Sequence, residues 1–411
     1  MKPSISFFFP YYEVSGCPVL FLNVLQKIEE LYPNKYDLKI VDYADGYMAT
    51  HLPPTSSVTL MTFKTGEYCE VSTDYIVMQA YLPQAIRPEL KIASRTKVLM
   101  WMLMPMNFLP VVFPFNFLHG YIETHLDQYS NIVKTFYKKD IAQAREFLES
   151  LLKANAVAFM NESDMPAVKK MLGVENVNPP YIPIAPSDPR KVKEFHESDI
   201  LNMGWVGRLC DFKITILNFV LEQLYKYAIS NKRKIQFHVI GSGDKANLLF
   251  MGSNEFFKII RVGSLTKDQL DDYMLENIDI NFAMGTSIIE SSKLGIPSVK
   301  LDFSYDIIPE NYCPDWFHNA KGYDVGHVID NEDLSKNNFS FENLINDFDK
   351  DKHDLSLRSK NHYREYFSLE MVTNKILKQL DLISASWGEI PNNLKEIGFV
   401  RKVYYKIKYN I

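Results

Sequence analysis

Short apolar runs recur along this chain, separated by longer stretches with helical spacing, and that alternation restricts the fold more than any other feature. It is the pattern of βαβ units, so the sequence predicts an α/β protein with parallel sheets covered by helices. In the first half the runs are Ser4 to Phe9, Tyr36 to Val41, Tyr75 to Ala80, Lys97 to Met102 and Ala156 to Met160, with the clearest helix at Ile141 to Lys153. Five prolines then crowd the fourteen residues from Val177 to Arg190, a composition suited to an extended connector. The pattern restarts with strands at Asn202 to Val206, Ile235 to Ile240, Lys258 to Val262, Ile278 to Phe282 and Ser298 to Leu301, and a helix at Phe212 to Ile229. No fixed-period repeat is present, which argues against solenoids and propellers. Leu355 to Ser384 reads as one or two helices packing back on the first half. The expected division is therefore an N-terminal Rossmann-like domain at 1–185, a second at 198–365, a returning helix at 366–386 and a basic, aromatic tail at 387–411.

Composition narrows the function classes. The 411 residues suffice for two or three folded units, and 46% hydrophobic with 23% charged residues is ordinary globular usage. Fifty acidic against 45 basic side chains give a net charge of −5, so no electrostatic case exists for gripping nucleic acid along the whole chain. Cys17, Cys69, Cys210 and Cys313 lie far apart without a CxxC, which speaks against a zinc knuckle or a disulfide framework and suits a reducing cytoplasm. The opening apolar run is broken by Pro10 and is too short for the core of a signal peptide.

Two segments suggest peripheral contact with a membrane. Val98 to Leu118 holds 21 uncharged residues, but Pro105, Pro110 and Pro114 break any continuous spanning helix. A buried strand at Lys97 to Met102, an apolar loop and a short extended piece near Pro110 to Pro114 fit it better. The last stretch, Leu394 to Ile411, interleaves Lys395, Arg401, Lys402, Lys406 and Lys408 with Phe399, Tyr404, Tyr405 and Tyr409, a composition that adsorbs to anionic lipid.

The residues that carry chemistry cluster in the second half. In Met203-Gly-Trp-Val-Gly207-Arg208-Leu-Cys-Asp-Phe-Lys213 a strand ends in a Gly-Arg turn, placing Arg208 and Lys213 where ligands bind in open α/β sheets. A guanidinium and an ammonium together offset much of a diphosphate's charge. Some 75 residues on, Ile280 to Val299 reads as a strand, a small-residue turn at Gly285-Thr286-Ser287, a short helix capped by Thr286 or Ser287, and a stop at Gly295 before Pro297. Free amides at such a helix start form an anion site, and Glu290, one turn in, is placed to accept ribose hydroxyls.

These segments resemble the retaining GT-B glycosyltransferases, most closely the bacterial enzymes that build O-antigen, capsule and related surface polysaccharides. The likeness rests on Val206-Gly207-Arg208-Leu209 with Lys213, on Glu290-Ser-Ser-Lys-Leu-Gly295-Ile-Pro297-Ser-Val299, on Phe237-His-Val-Ile-Gly241-Ser-Gly243 and on Arg261-Val-Gly263-Ser-Leu265. It is strongest over Asn202 to Leu301. The loop with Phe9-Pro10 and Ser15-Gly16 is similar to the family's loop after the first strand, which faces donor phosphates and acceptor. The resemblance implies two Rossmann-like domains facing a cleft, and metal-independent transfer of a sugar from a nucleotide-diphosphate sugar to a glycan or lipid-linked glycan. Arg208 and Lys213 take the catalytic positions, with Ser15, Gly16, Gly207, Gly241, Gly285, Thr286, Ser287 and Glu290 around the donor. The chain departs from the family at Phe282, eight positions before Glu290, where a glutamate usually touches the donor sugar.

Other readings stay open. Gly241-Ser-Gly243-Asp-Lys-Ala246 also fits a dinucleotide fingerprint, although Arg261 stands near the place of its ribose acid. A nucleotide-sugar epimerase and an inactive scaffold of a polysaccharide assembly complex share the expected architecture. Asn107, His119 and His125 are acceptor-side candidates beyond the apolar loop. Asp347-Phe-Asp349-Lys-Asp351 contains a D-x-D string, read as a solvated acidic stretch, and no metal or other cofactor is expected.

Overall fold

The computed structural model describes every residue except 1, 14, 83–88, 109–127, 129, 132–133, 136–137, 175–177, 305–306, 330–333, 335–339, 397–401, 404–405 and 408–411. His119 and His125, the stretch near Pro110 to Pro114 and, in the basic tail, 397–401, 404–405 and 408–411 thus lie outside the described residues. The chain forms two compact units, one of Met1–Ile184 with Leu369–Ile411 and one of Ala185–Ser368.

In the first unit apolar runs become strands and the stretches between them cross over. The elements are β1 (Ser4–Phe8), α1 (Gly16–Leu31), β2 (Asp37–Tyr43), α2 (Tyr47–His51), β3 (Thr59–Phe63), β4 (Cys69–Val71), β5 (Tyr75–Gln79), β6 (Leu90–Ile92), β7 (Lys97–Met102), α3 (Lys138–Lys153), β8 (Val157–Phe159) and α4 (Met165–Leu172). Six of the strands form a parallel sheet in the order β3-β2-β1-β5-β7-β8, while β4 and β6 pair separately. The chain winds outward from β1 on one side and then continues on the other through β5, the Rossmann arrangement. Buried Phe7, Phe21 and Trp101 pack ring against ring between β1, α1 and β7, with Phe21 and Trp101 stacked at 6.0 Å. The proline-rich connector begins as an extension of this sheet, since Ile182 donates its amide to Phe159 and accepts from the Trp101 indole at 2.7 Å.

The second unit repeats the plan with β9 (Leu201–Val206), α5 (Asp211–Asn231), β10 (Ile235–Ile240), β11 (Phe257–Gly263), α6 (Lys267–Asn277), β12 (Ile280–Ala283), α7 (Thr286–Lys293), β13 (Ser298–Lys300), β14 (Asp315–Trp316) and α8 (Phe341–Tyr366). The sheet order is β11-β10-β9-β12-β13-β14, parallel except for β14. Trp205, Phe237 and Phe282 fill its core.

The stretch Leu355 to Ser384 is divided between the units. Helix α8 begins at Phe341 and is broken at Asp351, whereas α9 (Leu369–Leu382) packs on α1 of the first unit. There Asn374 accepts a hydrogen bond from Tyr32 at 2.7 Å and Gln379 donates to Asn155 O at 2.7 Å. Residues beyond α9 also fasten to the first unit. Trp387 and Gly388 donate to Thr96 and Ser94, Leu394 is buried, and Lys395 donates to Trp387 O at 2.6 Å. The ammonium of Lys395, expected in a free tail, is therefore engaged within the protein. No helix among the described residues is long and apolar enough to cross a membrane.

Candidate functional site

The second sheet reverses direction of winding between β9 and β12, which pair directly from Ile280↔Met203 to Phe282↔Trp205. Their following turns, Gly207 to Cys210 and Met284 to Gly285, thus emerge side by side at the carboxyl edge, where α/β sheets hold ligands. The two segments singled out in the sequence as expected anion sites are brought together by this single register.

The turn after β9 is braced from its other side. Gly207 donates to Ile240 O, Leu209 to Ser242 O, and Lys245 to Leu209 O. Gly241 has φ +133, and a Cβ there would stand 2.1 Å from Gly207 O; one at Gly243 would stand 2.2 Å from Leu209 O. Both glycines thus permit backbone to press on backbone. After them comes a 3-10 turn at Ala246–Leu248, so the dinucleotide-like string opens no α-helix and offers no helix start to a pyrophosphate. This removes the dinucleotide-fingerprint reading of Gly241 to Ala246.

Arg208 is exposed, Lys213 is half-buried, and neither forms an ion pair with an acid among the described residues. Asp211, the acid between them, is paired with Lys245 at 3.1 Å instead. Burial holds the Lys213 ammonium below its ordinary pKa, and the Arg208 guanidinium adds to that lowering, so the two cations lie within electrostatic range of each other. Two nearby positive charges without acids disfavour each other and favour an anionic ligand.

The start of α7 differs from expectation. Gly285, with φ 63, is the N-cap, and Thr286 and Ser287 are the first helical residues rather than caps. No side chain caps the helix, so its first-turn amides remain available donors. The Gly285 amide is not among them, because it donates to Val325 O at 2.7 Å. Val325 follows Asp324 in the chain, and the Lys300 Nζ lies 2.8 Å from Asp302 and 2.6 Å from Asp324, with His327 beside the same two carboxylates. Asp302, Asp324 and His327 are the one group of metal-type ligands that converges among the described residues, but the Lys300 ammonium sits against both of its carboxylates.

Glu290 stands one turn into α7. Its Oε2 is 2.5 Å from the Lys293 Nζ, which also lies 2.9 Å from Asp271 on α6. Phe282, the departure from the resembled family, is buried in β12 against Phe237, so no donor contact can come from that position.

In the first unit Ser15 is the N-cap of α1 and gives no side-chain cap bond, while Gly16 opens on free space. Asn107 Oδ1 accepts the amides of Leu103 and Met104, both at 3.0 Å, closing the turn after β7. Asp349 and Asp351 are exposed, as a solvated acidic stretch would be, and Asp347 is half-buried; Asp347 accepts from the Trp316 indole at 3.2 Å, Asp349 pairs with Arg233 at 2.8 Å, and Asp351 accepts from the Asp354 amide at 2.9 Å. Asp349 and Asp351 border a cavity of about 380 Å³ that includes Phe195, Arg233 and Asp279 and lies by the amino end of β9. Two ion pairs join lining residues, Lys352 with Glu197 at 3.3 Å and Arg233 with Asp349 at 2.8 Å.

The fold class follows from these strand orders: two Rossmann-like units, with the last long helix returning to the first, make the GT-B architecture. Among solved structures, this chain is similar to the lipopolysaccharide outer core galactosyltransferase WaaB (11% identity, 96% of this chain, 99% of that chain, TM-score 0.42). It is likewise similar to WaaG, a glycosyltransferase involved in lipopolysaccharide biosynthesis (12%, 93%, 99%, TM-score 0.44). A third likeness is to a mutant of S. aureus TarM in complex with fondaparinux, alpha-GlcNAc-glycerol and UDP (14% identity, 87% of this chain, TM-score 0.38). The chain spans 58% and 57% of the two TarM chains it matches. No protein-family model and no curated protein matches it.

Proposed function

We propose that this protein is a glycosyltransferase that moves a sugar from a nucleoside-diphosphate sugar to a glycan or lipid-linked glycan, in the synthesis of a bacterial surface polysaccharide. The observation that carries the reading is a half-buried Lys213 beside Arg208, both without an acidic partner among the described residues, at the turn adjoining the uncapped start of α7. When the donor's glycosidic bond breaks, negative charge grows on the departing diphosphate. Arg208, Lys213 and the Thr286 and Ser287 amides supply fixed positive charge for it, the preorganised stabilisation that lowers such barriers most. Glu290 accepts the ribose hydroxyls, Gly207 lets the backbone approach the phosphates, and Gly241 braces that turn from β10. Retention of anomeric configuration is carried over from the resemblance alone.

The acceptor belongs to the first unit in this reading, near Ser15, Gly16 and Asn107, with His119 and His125 as further candidates. Peripheral membrane contact, on the cytoplasmic side, is assigned to the part of the 98–118 segment beyond the buried strand β7 and to the basic residues after Glu396. Incubation with candidate nucleotide sugars and acceptors tests the reading. Free nucleoside diphosphate that accumulates only with acceptor supports transfer; no release from any donor supports a scaffold, and an altered sugar still joined to nucleotide supports epimerisation.

A further inference from the structure

Lys293 is the most deeply buried charge of the second unit among the described residues, its side chain fully out of solvent in a helix whose neighbouring residues Ser291 and Ser292 are also buried. A buried ammonium carries a desolvation penalty of several kcal/mol, which only close anions repay. Two are present. Glu290 Oε2 lies at 2.5 Å and Asp271 Oδ2 at 2.9 Å, and burial alone would lower the lysine's pKa, yet these carboxylates raise it instead. The ammonium therefore stays charged, and it holds Glu290 by one oxygen only. Oε2 is out of solvent, whereas Glu290 as a whole keeps 22% side-chain exposure and Oε1 has no partner among the described residues.

The platform beneath is fixed too. Ser291 Oγ accepts from the Asn281 side-chain amide at 3.0 Å and shares a hydrogen bond with Ser298 at 2.7 Å, and Ser359 of α8 donates to Ser292 at 3.1 Å. Glu290 thus stands on a helix fastened through Ser291 and Ser292, with one oxygen in an inward ion pair and the other left open one turn from the carboxyl edge.

We propose that Lys293 is a positioning residue: acting through Glu290, it fixes the carboxylate so that the free oxygen selects a ligand bearing vicinal ribose hydroxyls. The inference rests on the nucleoside-diphosphate reading above and deepens it. Selectivity for hydroxyls is the expected consequence, because a preorganised acceptor left unpaired penalises the analogue that lacks them. Without Lys293, Glu290 rotates freely, and the ligand must itself order the side chain.

Calorimetric titration of the full chain with uridine and adenosine 5′-diphosphate, each against its 2′,3′-dideoxy counterpart, tests this. The wild type should favour the ribose form by about tenfold or more. K293M and E290Q should each bring the ratio to within about twofold, and K293M/E290Q should fall no further than E290Q alone, since the lysine acts through the glutamate. Loss of stability alone lowers both affinities together and leaves the ratio in place. A folded K293M with the wild-type ratio, beside an E290Q that loses it, overturns the positioning role. A ratio unmoved by E290Q, or no nucleotide binding at all, instead strikes the nucleoside-diphosphate reading itself. If K293M does not fold, K293Q serves: a drop of about threefold or more supports the proposal, and an unchanged ratio contradicts it.

Discussion

The two units share a strand order but use buried charge in opposite ways. In the first, Asp42 at the end of β2 is fully buried, and its two oxygens accept four amides, those of Tyr11, Tyr43, Met48 and Ala49. Burial pushes its pKa up, and those amide bonds oppose the rise. The acid is consumed in fastening the loop after β1 and the start of α2. In the second unit the loop after β9 and the first turn of α5 present Arg208 and Lys213 with no acidic partner among the described residues, and the buried charge, Lys293, faces a carboxylate with a free oxygen. Strand order alone thus does not make a ligand site. In the proposed reading, the carboxyl edge binds anions where its polar groups are left unsatisfied by the protein.

The largest expected effect separates these edges directly. R208A should raise the barrier to sugar transfer by about 2.7 to 4 kcal/mol, the range for loss of one preorganised donor, with little change in unfolding. Steady-state kinetics beside a melting curve checks it, and near-normal turnover would break the contrast. D42A should do the reverse, destabilising the first unit by about 3 kcal/mol through stranded amides while leaving nucleotide affinity within about twofold. Chemical denaturation with nucleotide titration measures both.

Acid should distinguish the units next. His238, His318 and His362 all lie in the second unit, where burial first of all pushes each down to about 4. Unfolded histidine titrates near 6.5, so the unfolded state binds more protons between about pH 6.5 and 4, and stability falls as pH drops through that window. The loss should be on the order of 1 kcal/mol apiece by about pH 5. His327 has the opposite sign: hydrogen bonding to Asp324, against the effect of burial, raises it to about 9. Its contribution is complete below about pH 6.5 and disappears as pH rises through about 9. Hydrogen exchange across about pH 4.5 to 9 should show the second unit loosening at both ends; earlier acid loosening of the first would contradict this.

The smallest effect is local. G241A forces a side chain into a left-handed backbone against Gly207 O and should lower stability by about 1 to 3 kcal/mol. Nucleotide affinity should fall with it, because the displaced backbone carries Arg208. Unchanged affinity would mean that the brace from β10 is not what places the guanidinium.

Much of the fold was legible because parallel strands buried on both faces read as plain apolar runs, as β1, β5, β7 and β10 do. Strand β3 was not, since Thr59 to Thr62 lie on an edge and are mostly exposed, leaving no apolar period to detect. The start of α8 was hidden by its acidic content, although Phe341, Leu344, Ile345 and Phe348 trace a buried helical face. Within the site, Arg208, Lys213 and Glu290 announced themselves by position after strands. Lys293 and Asp42 did not. A charged residue reads as surface unless its partners are known, and Asp271, which helps bury Lys293, stands on another helix. The same limit explains the mistaken cap, because only the backbone shows that Gly285 precedes the helix and that its amide is already taken by Val325.

The central claim is that the second unit's edge recognises phosphate charge, and comparison of a nucleoside with its 5′-diphosphate by calorimetry measures it most directly. For the wild type the diphosphate of uridine or adenosine should bind at least about a hundredfold more tightly than the nucleoside, about 2.7 kcal/mol. R208M/K213M should reduce that ratio to below about fivefold. Equal affinities in the wild type, or a ratio that survives removal of both cations, would contradict the account.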